Sequence, residues 1–241
     1  MEKKNLNIGI NKIPEVTAVK MGFVDSYIIK GDDDLTGENS WILVDCGVVG
    51  SERKIIKSMD ILGIKPKKVS LIILTHAHID HTGNVKELQK ITGAKVAIQK
   101  EDAKCLIEGI NAKVTPVTGF AGFMLRFIKY VPQKEKNGIM PDVIIENELD
   151  LNAFGVKGRA VSTPGHTKGS VSIFLDSGSC IVGDVIGKKF GKVKPGLFCN
   201  DTEENLKSIK KIVDLNAKNL YLSHGGQCSI QEVKKYLNSQ N

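Results

Sequence analysis

Three of the five histidines in this 241-residue chain lie within six residues, at His76, His78 and His81. Asp80 stands in the same run, Thr-His-Ala-His-Ile-Asp-His. Imidazole is the commonest protein ligand of zinc-like metals, and a carboxylate within the cluster adds an oxygen ligand. Side chains two apart on an extended segment project the same way, so His76 and His78 can bind one ion while Asp80 and His81 turn toward a second. The run therefore predicts a metal centre whose ligands converge from a loop.

The remaining histidines and two aspartates follow in short motifs of their own. His166 lies in Thr-Pro-Gly-His-Thr, Asp184 in Gly-Asp, and His224 in Ser-His-Gly, while Asp45 precedes all of them at the end of an apolar run. The set and its order resemble the metallo-β-lactamase superfamily, and the matching residues extend from Asp45 to His224, nearly the whole chain.

The resemblance assigns a role to each of these residues. It implies that His76, His78 and His166 bind one metal ion, that Asp80, His81 and His224 bind a second, and that Asp184 bridges both. It also implies that Asp45 holds the metal loop through hydrogen bonds, although an aspartate at a strand end can equally cap a turn. The implied ions are two Zn²⁺, with Fe or Mn as alternatives, and a histidine rather than a glutamate at position 78 favours zinc over the iron of flavodiiron proteins.

Hydrophobic periodicity by itself indicates only a single α/β domain, with the first motif just after a buried strand that includes Leu71–Leu74. The resemblance implies more: an αββα sandwich of two mixed β-sheets with helices on the outer faces, formed by residues 1–241 as one domain. Residues 111–141 form an inserted segment in this scheme. Its aromatic residues Phe120, Phe123, Phe127 and Tyr130 recur at helical spacing.

Two features suggest where a substrate would bind. The aromatic stripe is either a core-facing helix or a wall of the substrate pocket, and in the second case Phe123 and Phe127 would contact the substrate. A lysine-rich stretch follows Asp184, and Lys188 within it could hold an acidic substrate tail, although charged loops are usually solvated.

The activity implied by the resemblance is that of a metal-dependent hydrolase. A hydroxide shared by two ions would cleave an ester, thioester or lactone bond of a small molecule, and Asp80 would take or pass the proton. A nucleic-acid phosphodiesterase of the same superfamily and a non-enzymatic metal-binding member are the alternatives.

Composition indicates the cellular compartment and the partners to expect for this protein. Five widely spaced cysteines without a Cys-x-x-Cys pair indicate reduced thiols, and no apolar run approaches the roughly 20 residues that cross a bilayer. The N-terminus lacks the apolar core of a signal peptide, so we expect a cytoplasmic protein without a membrane partner. The net charge of +7 is spread over many lysines, so nucleic acid is not the expected partner, and a homo-oligomer is left open.

Overall fold

Two β-sheets of six strands each form the centre of the computed structural model. The structure describes residues 14–32, 35, 40–119, 121–123 and 138–240. In the first sheet the strand order is β1-β2-β3-β4-β5-β6. Its strands are Val16–Lys20, Asp25–Lys30, Trp41–Val44, Val69–Ile73, Lys95–Gln99 and Val143–Ile145. Pairing is antiparallel from β1 to β3 and parallel from β3 to β6, which makes the sheet mixed.

The second sheet has the order β14-β13-β10-β9-β8-β7 and is also mixed, because β10 and β13 run parallel. In chain order its strands are Glu148–Asp150, Gly158–Ser162, Val171–Leu175, Ser179–Ile181, Asn219–Leu222 and Gly226–Ser229. Between β10 and β13 the chain forms a separate antiparallel hairpin of β11, Gly187–Lys189, and β12, Lys192–Lys194.

Helices follow several of the strands. In chain order they are α1, Glu52–Ile61; α2, Ile79–Thr82; α3, Val85–Thr92; α4, Lys100–Glu108; α5, Thr202–Asp214; and α6, Ile230–Asn238. Several begin at a side-chain cap. Asp201 accepts from the Glu204 N–H at the start of α5, and Ser229 with Glu232 forms a capping box at the start of α6. Within the described ranges, no helix is both long and apolar enough to span a membrane.

Buried side chains arrange these elements in four layers. Residues of the two sheets, such as Ile73 and Ile173, pack against each other in the middle. The outer face of the first sheet packs against α1, α3 and α4, and that of the second sheet against α5 and α6. The predicted αββα sandwich of two mixed sheets is confirmed, because each sheet buries one face on the other sheet and one face under helices.

The four loops that carry the metal motifs lie at one edge of this sandwich. His76 follows β4, His166 follows β8, Asp184 follows β10 and His224 follows β13. Asp80 and His81 lie in the short helix α2, so the prediction of a loop describes His76 and His78 but not these two residues. His78, the residue before this helix, has an extended backbone. The N–H of Ile79, the first helical residue, donates to Asn111 Oδ1 at 2.6 Å.

Candidate metal centre

Three buried imidazole rings meet at the centre of this edge. The nitrogen atoms His76 Nε2 and His78 Nδ1 are 3.0 Å apart, and His166 Nε2 lies 3.2 Å from the first and 3.0 Å from the second. Zn–N bonds of about 2.0–2.1 Å in a tetrahedral site place neighbouring ligand nitrogens roughly 3.3 Å apart. The three nitrogens therefore have the spacing of ligands around one ion.

A second group of ligand atoms lies beside the first and is more open to solvent. It comprises Asp80, His81 and His224, whose ligand atoms all lie within 4.8 Å of one another. The side chain of His81 is fully buried, whereas those of His224 and Asp80 are 34% and 24% exposed. The second group thus forms the part of the centre that solvent can reach.

Asp184 stands between the two groups. Its Oδ2 is 3.6 Å from His166 Nε2 and 3.3 Å from His224 Nε2, and its Oδ1 is 3.6 Å from His81 Nε2. Asp184 Oδ1 and His81 Nε2 are both buried without a hydrogen-bond partner among the described residues. Buried polar atoms normally have a partner, so this pair fits a centre completed by a metal ion.

The ring nitrogens that face away from the centre have oxygen partners. His166 Nδ1 lies 2.8 Å from the Phe198 carbonyl oxygen, His224 Nδ1 lies 2.7 Å from that of Phe23, and His76 Nδ1 lies 3.0 Å from Thr75 Oγ1. A carbonyl can only accept, so His166 and His224 each carry a proton on Nδ1, and Nε2 is the nitrogen that faces the centre. Such partners fix the tautomer and orientation of metal-binding histidines.

Asp45 organises the first motif from beneath. Its Oδ1 accepts from the Thr75 N–H, and its Oδ2 from Thr75 Oγ1 and His81 Nδ1, all at 2.8 Å. The residue is fully buried and its backbone is left-handed, with φ of 60°. That conformation turns the carboxylate under the loop as the chain leaves β3, and aspartate is one of the few residues with a side chain that tolerates it.

The buried carboxylate of Asp102 joins two ligand loops and was not predicted. It accepts hydrogen bonds from the Ala77 N–H at 2.8 Å, from Thr167 Oγ1 at 2.9 Å and from the Gly169 N–H at 3.2 Å. Ala77 lies between His76 and His78, and Thr167 follows His166. In the sequence Asp102 is an ordinary acidic residue in the first turn of a helix, so only its contacts reveal this role.

The glycine of the Pro-Gly-His motif has a packing role. Gly165 has φ of 133°, and a Cβ there would lie 2.3 Å from the backbone of Asn205 in α5. Only glycine allows the His166 loop to approach the helix this closely.

Burial and charge set the protonation states of the ligand side chains. Burial lowers the pKa of His166 to about 4 and that of His76 well below its usual value, so both rings are neutral at pH 7. Burial alone would raise the pKa of Asp80, but the neighbouring His81 and His224 bring it down to about 2. Neutral imidazoles and ionised carboxylates are the forms that bind metal ions. Burial alone would lower the pKa of His81 and His224, but the carboxylates around them raise it, that of His224 to about 10, so a bound ion would displace a proton from each ring.

The predicted substrate contacts are less closely tied to the centre. Phe123 is 59% exposed, whereas Phe127 and nearly half of the inserted segment lie outside the described residues. Lys188 donates from its backbone N–H to the His224 carbonyl, but its ammonium pairs with Glu232 Oε1 at 2.8 Å. A substrate contact by Lys188 remains a prediction and would require this ion pair to open.

Phe23 is a neighbour of the centre that was not predicted from the sequence. It lies in the turn between β1 and β2, and its ring is 66% exposed and parallel to that of His224, with centroids 6.0 Å apart. The turn is held by the Asp25 N–H, which donates to the Ser223 carbonyl at 2.9 Å, and by Tyr27 Oη, which donates to the Leu222 carbonyl at 2.6 Å. An apolar surface therefore borders the open part of the centre.

Comparison with known proteins decides the family. The model of the metallo-beta-lactamase superfamily matches residues 19–224, which include every predicted ligand. The chain belongs to the metallo-beta-lactamase superfamily. The predicted resemblance is thus confirmed, and with it a fold and a His/Asp cluster able to bind metal in a superfamily of metallo-hydrolases.

Relatives in this superfamily cover most of the chain. A protein of Methanocaldococcus jannaschii named a probable metallo-hydrolase is 30% identical over 83% of this chain and 87% of its own length. A metallo-beta-lactamase fold-containing protein of Sulfurisphaera tokodaii is 28% identical over 84% of this chain and 75% of its own length. The crystal structure of an archaeal superfamily protein from Sulfolobus tokodaii has a TM-score of 0.68 at 24% identity, covering 95% of this chain and 86% of that one.

Proposed function

We propose that this chain is a metal-dependent hydrolase that cleaves an ester, thioester or lactone bond of a small molecule. The observation that carries the proposal is the asymmetry of the centre. His76, His78 and His166 are buried, while Asp80 and His224 are partly exposed beside them. A purely structural metal site is closed, whereas a catalytic site keeps an accessible side.

We assign the seven side chains to two ions, as the superfamily resemblance implies. His76, His78 and His166 would hold one ion, Asp80, His81 and His224 the other, and Asp184 would contribute to both. Nitrogen and carboxylate donors without a thiolate suit zinc, with iron or manganese as alternatives. Divalent ions held there would supply Lewis-acid polarisation of the acyl carbonyl and an acidified water.

The reaction is an acyl transfer to water. The oxygen of water bonds to the acyl carbon, the bond from that carbon to sulfur or oxygen breaks, and a proton from the water ends on the leaving group. Asp80 has the charge and the position to carry that proton, because it is an ionised carboxylate at the open side of the centre.

A thioester is supported further by one relative. An enzyme of Aspergillus fumigatus named atrochrysone carboxyl ACP thioesterase is 29% identical over 81% of this chain, which corresponds to 53% of that enzyme. As its name states, that enzyme is a thioesterase. The exposed ring of Phe23 beside His224 would suit the apolar part of such a substrate.

The test combines metal analysis with a substrate panel. Protein purified without added metal should hold two ions per chain by elemental analysis and should hydrolyse at least one thioester, ester or lactone in the panel. Asp184→Ala should lose both metal and turnover, because it removes a carboxylate that faces both groups. Asp176→Ala, an exposed aspartate in the turn between β9 and β10, is the matched control and should retain both. Full activity with one ion or none, or normal metal content and turnover in Asp184→Ala, would refute the assignment.

A further inference from the structure

The hairpin of β11 and β12 has two chemically different faces. Its register pairs Lys188 with Val193, and these two side chains share one face. Val193 packs against the core beneath α5 and α6, and the Lys188 ammonium pairs with Glu232 of α6. This face is therefore turned toward the body of the protein.

The opposite face is almost entirely cationic. The register pairs Lys189 with Lys192 and Gly187 with Lys194, which places three lysines on one outward face, and all three are exposed. The Lys189 ammonium lies 5.5 Å from the centroid of the Phe190 ring at the hairpin tip. Lys192 and Lys194 form no ion pair with a carboxylate of the described residues. Like charges directly opposite each other across strands destabilise a hairpin, and an anion bound to them would relieve that repulsion.

This cationic face begins beside the open side of the metal centre. The Lys188 N–H donates to the His224 carbonyl at 3.1 Å, which ties β11 to the His224 loop. A Cβ built on Gly187, which would project on the face of the three lysines, would lie 3.6 Å from that same carbonyl oxygen. The lysines therefore lead away from His224 along the hairpin. Neighbouring positions on this face of one strand are two residues, or about 7 Å, apart.

We propose that Lys189, Lys192 and Lys194 form a binding subsite for the phosphate groups of a thiol carrier, whose acyl thioester is cleaved at the metal centre. This inference rests on the proposed hydrolase function and names its substrate class. Three ammonium groups suit a multiply charged anion better than a single carboxylate, and lysine binds phosphate as a point charge. The lysines lead away from His224 along the hairpin, so they suit a substrate whose charge is separated from the reacting carbon by a flexible arm.

Three thioesters with the same acyl group test the subsite. Butyryl-coenzyme A carries nucleotide phosphates, butyryl-phosphopantetheine carries the phosphate of the arm alone, and butyryl-N-acetylcysteamine carries none. We expect the triple variant K189Q/K192Q/K194Q to raise KM for a phosphate-bearing thioester roughly tenfold, with kcat unchanged. KM for the uncharged thioester should stay the same. A rise in KM for butyryl-phosphopantetheine identifies the phosphate of the arm, as on a carrier protein, and a rise for butyryl-coenzyme A alone identifies the nucleotide phosphates.

A second triple variant provides the charge-matched control. K54Q/K57Q/K65Q removes the same charge from exposed lysines in and after α1, on the helical layer over the first sheet, and should leave all three KM values unchanged. Added salt should raise KM for butyryl-coenzyme A in the wild type but much less in the hairpin variant. Equal effects of the two triple variants, or equal effects on charged and uncharged thioesters, would overturn the proposal.

The remaining outcomes separate the subsite from the hydrolase itself. Cleavage of the uncharged thioester with no response to the hairpin variant would refute the subsite and leave the hydrolase standing. If no thioester is cleaved, the substrate class proposed here is wrong, whether or not another ester or lactone is hydrolysed. Hairpin-dependent binding of a single-stranded oligonucleotide, with unchanged thioester kinetics, would assign the lysines to nucleic acid and overturn the proposal.

Discussion

Asp45 Oδ2 lies 2.8 Å from His81 Nδ1, and both side chains are completely buried. The same carboxylate binds the backbone and hydroxyl of Thr75, the residue that precedes His76. One buried charge thus orients a ligand of each group, and the pKa of His81 is raised well above its usual value chiefly by Asp45 and Asp184, against the effect of burial.

Asp45→Asn should weaken metal binding without unfolding the protein. Asparagine tolerates the left-handed backbone at this position and has nearly the same shape, so the substitution removes the charge and replaces one acceptor oxygen by an amide group that donates. We expect metal affinity to fall roughly 10–100-fold, as is typical when the partner of a metal-binding histidine is altered. Titration with a competing chelator would measure this change. Unchanged affinity in a folded variant would show that Asp45 serves only as a turn cap.

Asp102→Asn should lower stability and disturb the centre together. The amide has one oxygen for the acceptor positions that face Ala77, Thr167 and Gly169, so at least one buried donor loses its partner. Loss of a hydrogen bond to a charged group costs about 2 kcal/mol, which corresponds to a fall in Tm of about 4–8 °C in a chain of this size. Glu101→Gln, an exposed change one residue earlier, should leave Tm unchanged when both are measured by calorimetry.

Asp80→Asn should separate catalysis from metal binding. The amide oxygen can still approach a metal ion, but it cannot accept a proton at neutral pH. We expect most of the metal to remain while kcat falls at least about 100-fold, within the usual contribution of a general acid–base group. Elemental analysis and steady-state kinetics on the same preparation would measure metal content and kcat separately. Turnover within a few-fold of the wild type would show that Asp80 does not transfer the proton.

Phe23→Ala should raise KM for substrates with an apolar acyl chain. The backbone carbonyl that binds His224 Nδ1 remains, so metal content should not change, but the exposed ring beside that histidine is lost. The effect should grow with acyl chain length in a series of thioesters, since each additional buried CH₂ contributes to binding. Ile61→Ala, an exposed apolar residue at the end of α1, is the control and should leave KM unaltered. An equal KM across the series would contradict a contact between Phe23 and substrate.

Phe123→Ala and Phe127→Ala test whether the inserted segment borders the pocket. If these aromatic side chains contact the substrate, KM rises for the best substrate while metal content and Tm stay constant. If the stripe belongs to the core, Phe127→Ala lowers Tm and leaves KM alone, because a cavity replaces a buried ring, whereas Phe123→Ala, at a ring that is 59% exposed, changes neither. Kinetics and thermal unfolding of both variants would distinguish the two interpretations.

The elements easiest to recognise in this sequence are those with local signals, such as long apolar runs and helix caps. Leu71–Leu74 predicted a buried strand, and it overlaps β4, Val69–Ile73. The capping box of Ser229 and Glu232 at the start of α6 is a local signal of the same kind. The strands β7 and β11, by contrast, have only three residues each. So short a segment carries too few residues for a periodic pattern.

The metal-ligand motifs can be recognised from the sequence. The residues that hold these motifs in place are brought to them only by the tertiary structure. His76, His78, Asp80 and His81 are neighbours in the chain, so their chemistry can be recognised from the motif alone. Asp102 meets Thr167 across 65 positions, and His224 meets Phe23 across 201. Such pairs depend on which strands lie next to each other, and no local pattern encodes that choice.

The lysines after Asp184 show the same division within a single hairpin. Their number and sequence positions are evident from the chain, and Lys188 is the nearest to Asp184. Only the strand register decides that Lys188 turns inward to Glu232 while Lys189, Lys192 and Lys194 face outward. Residue type is written in the sequence, but the face on which a strand presents each residue is decided by pairing and packing, because a shift of one residue reverses it.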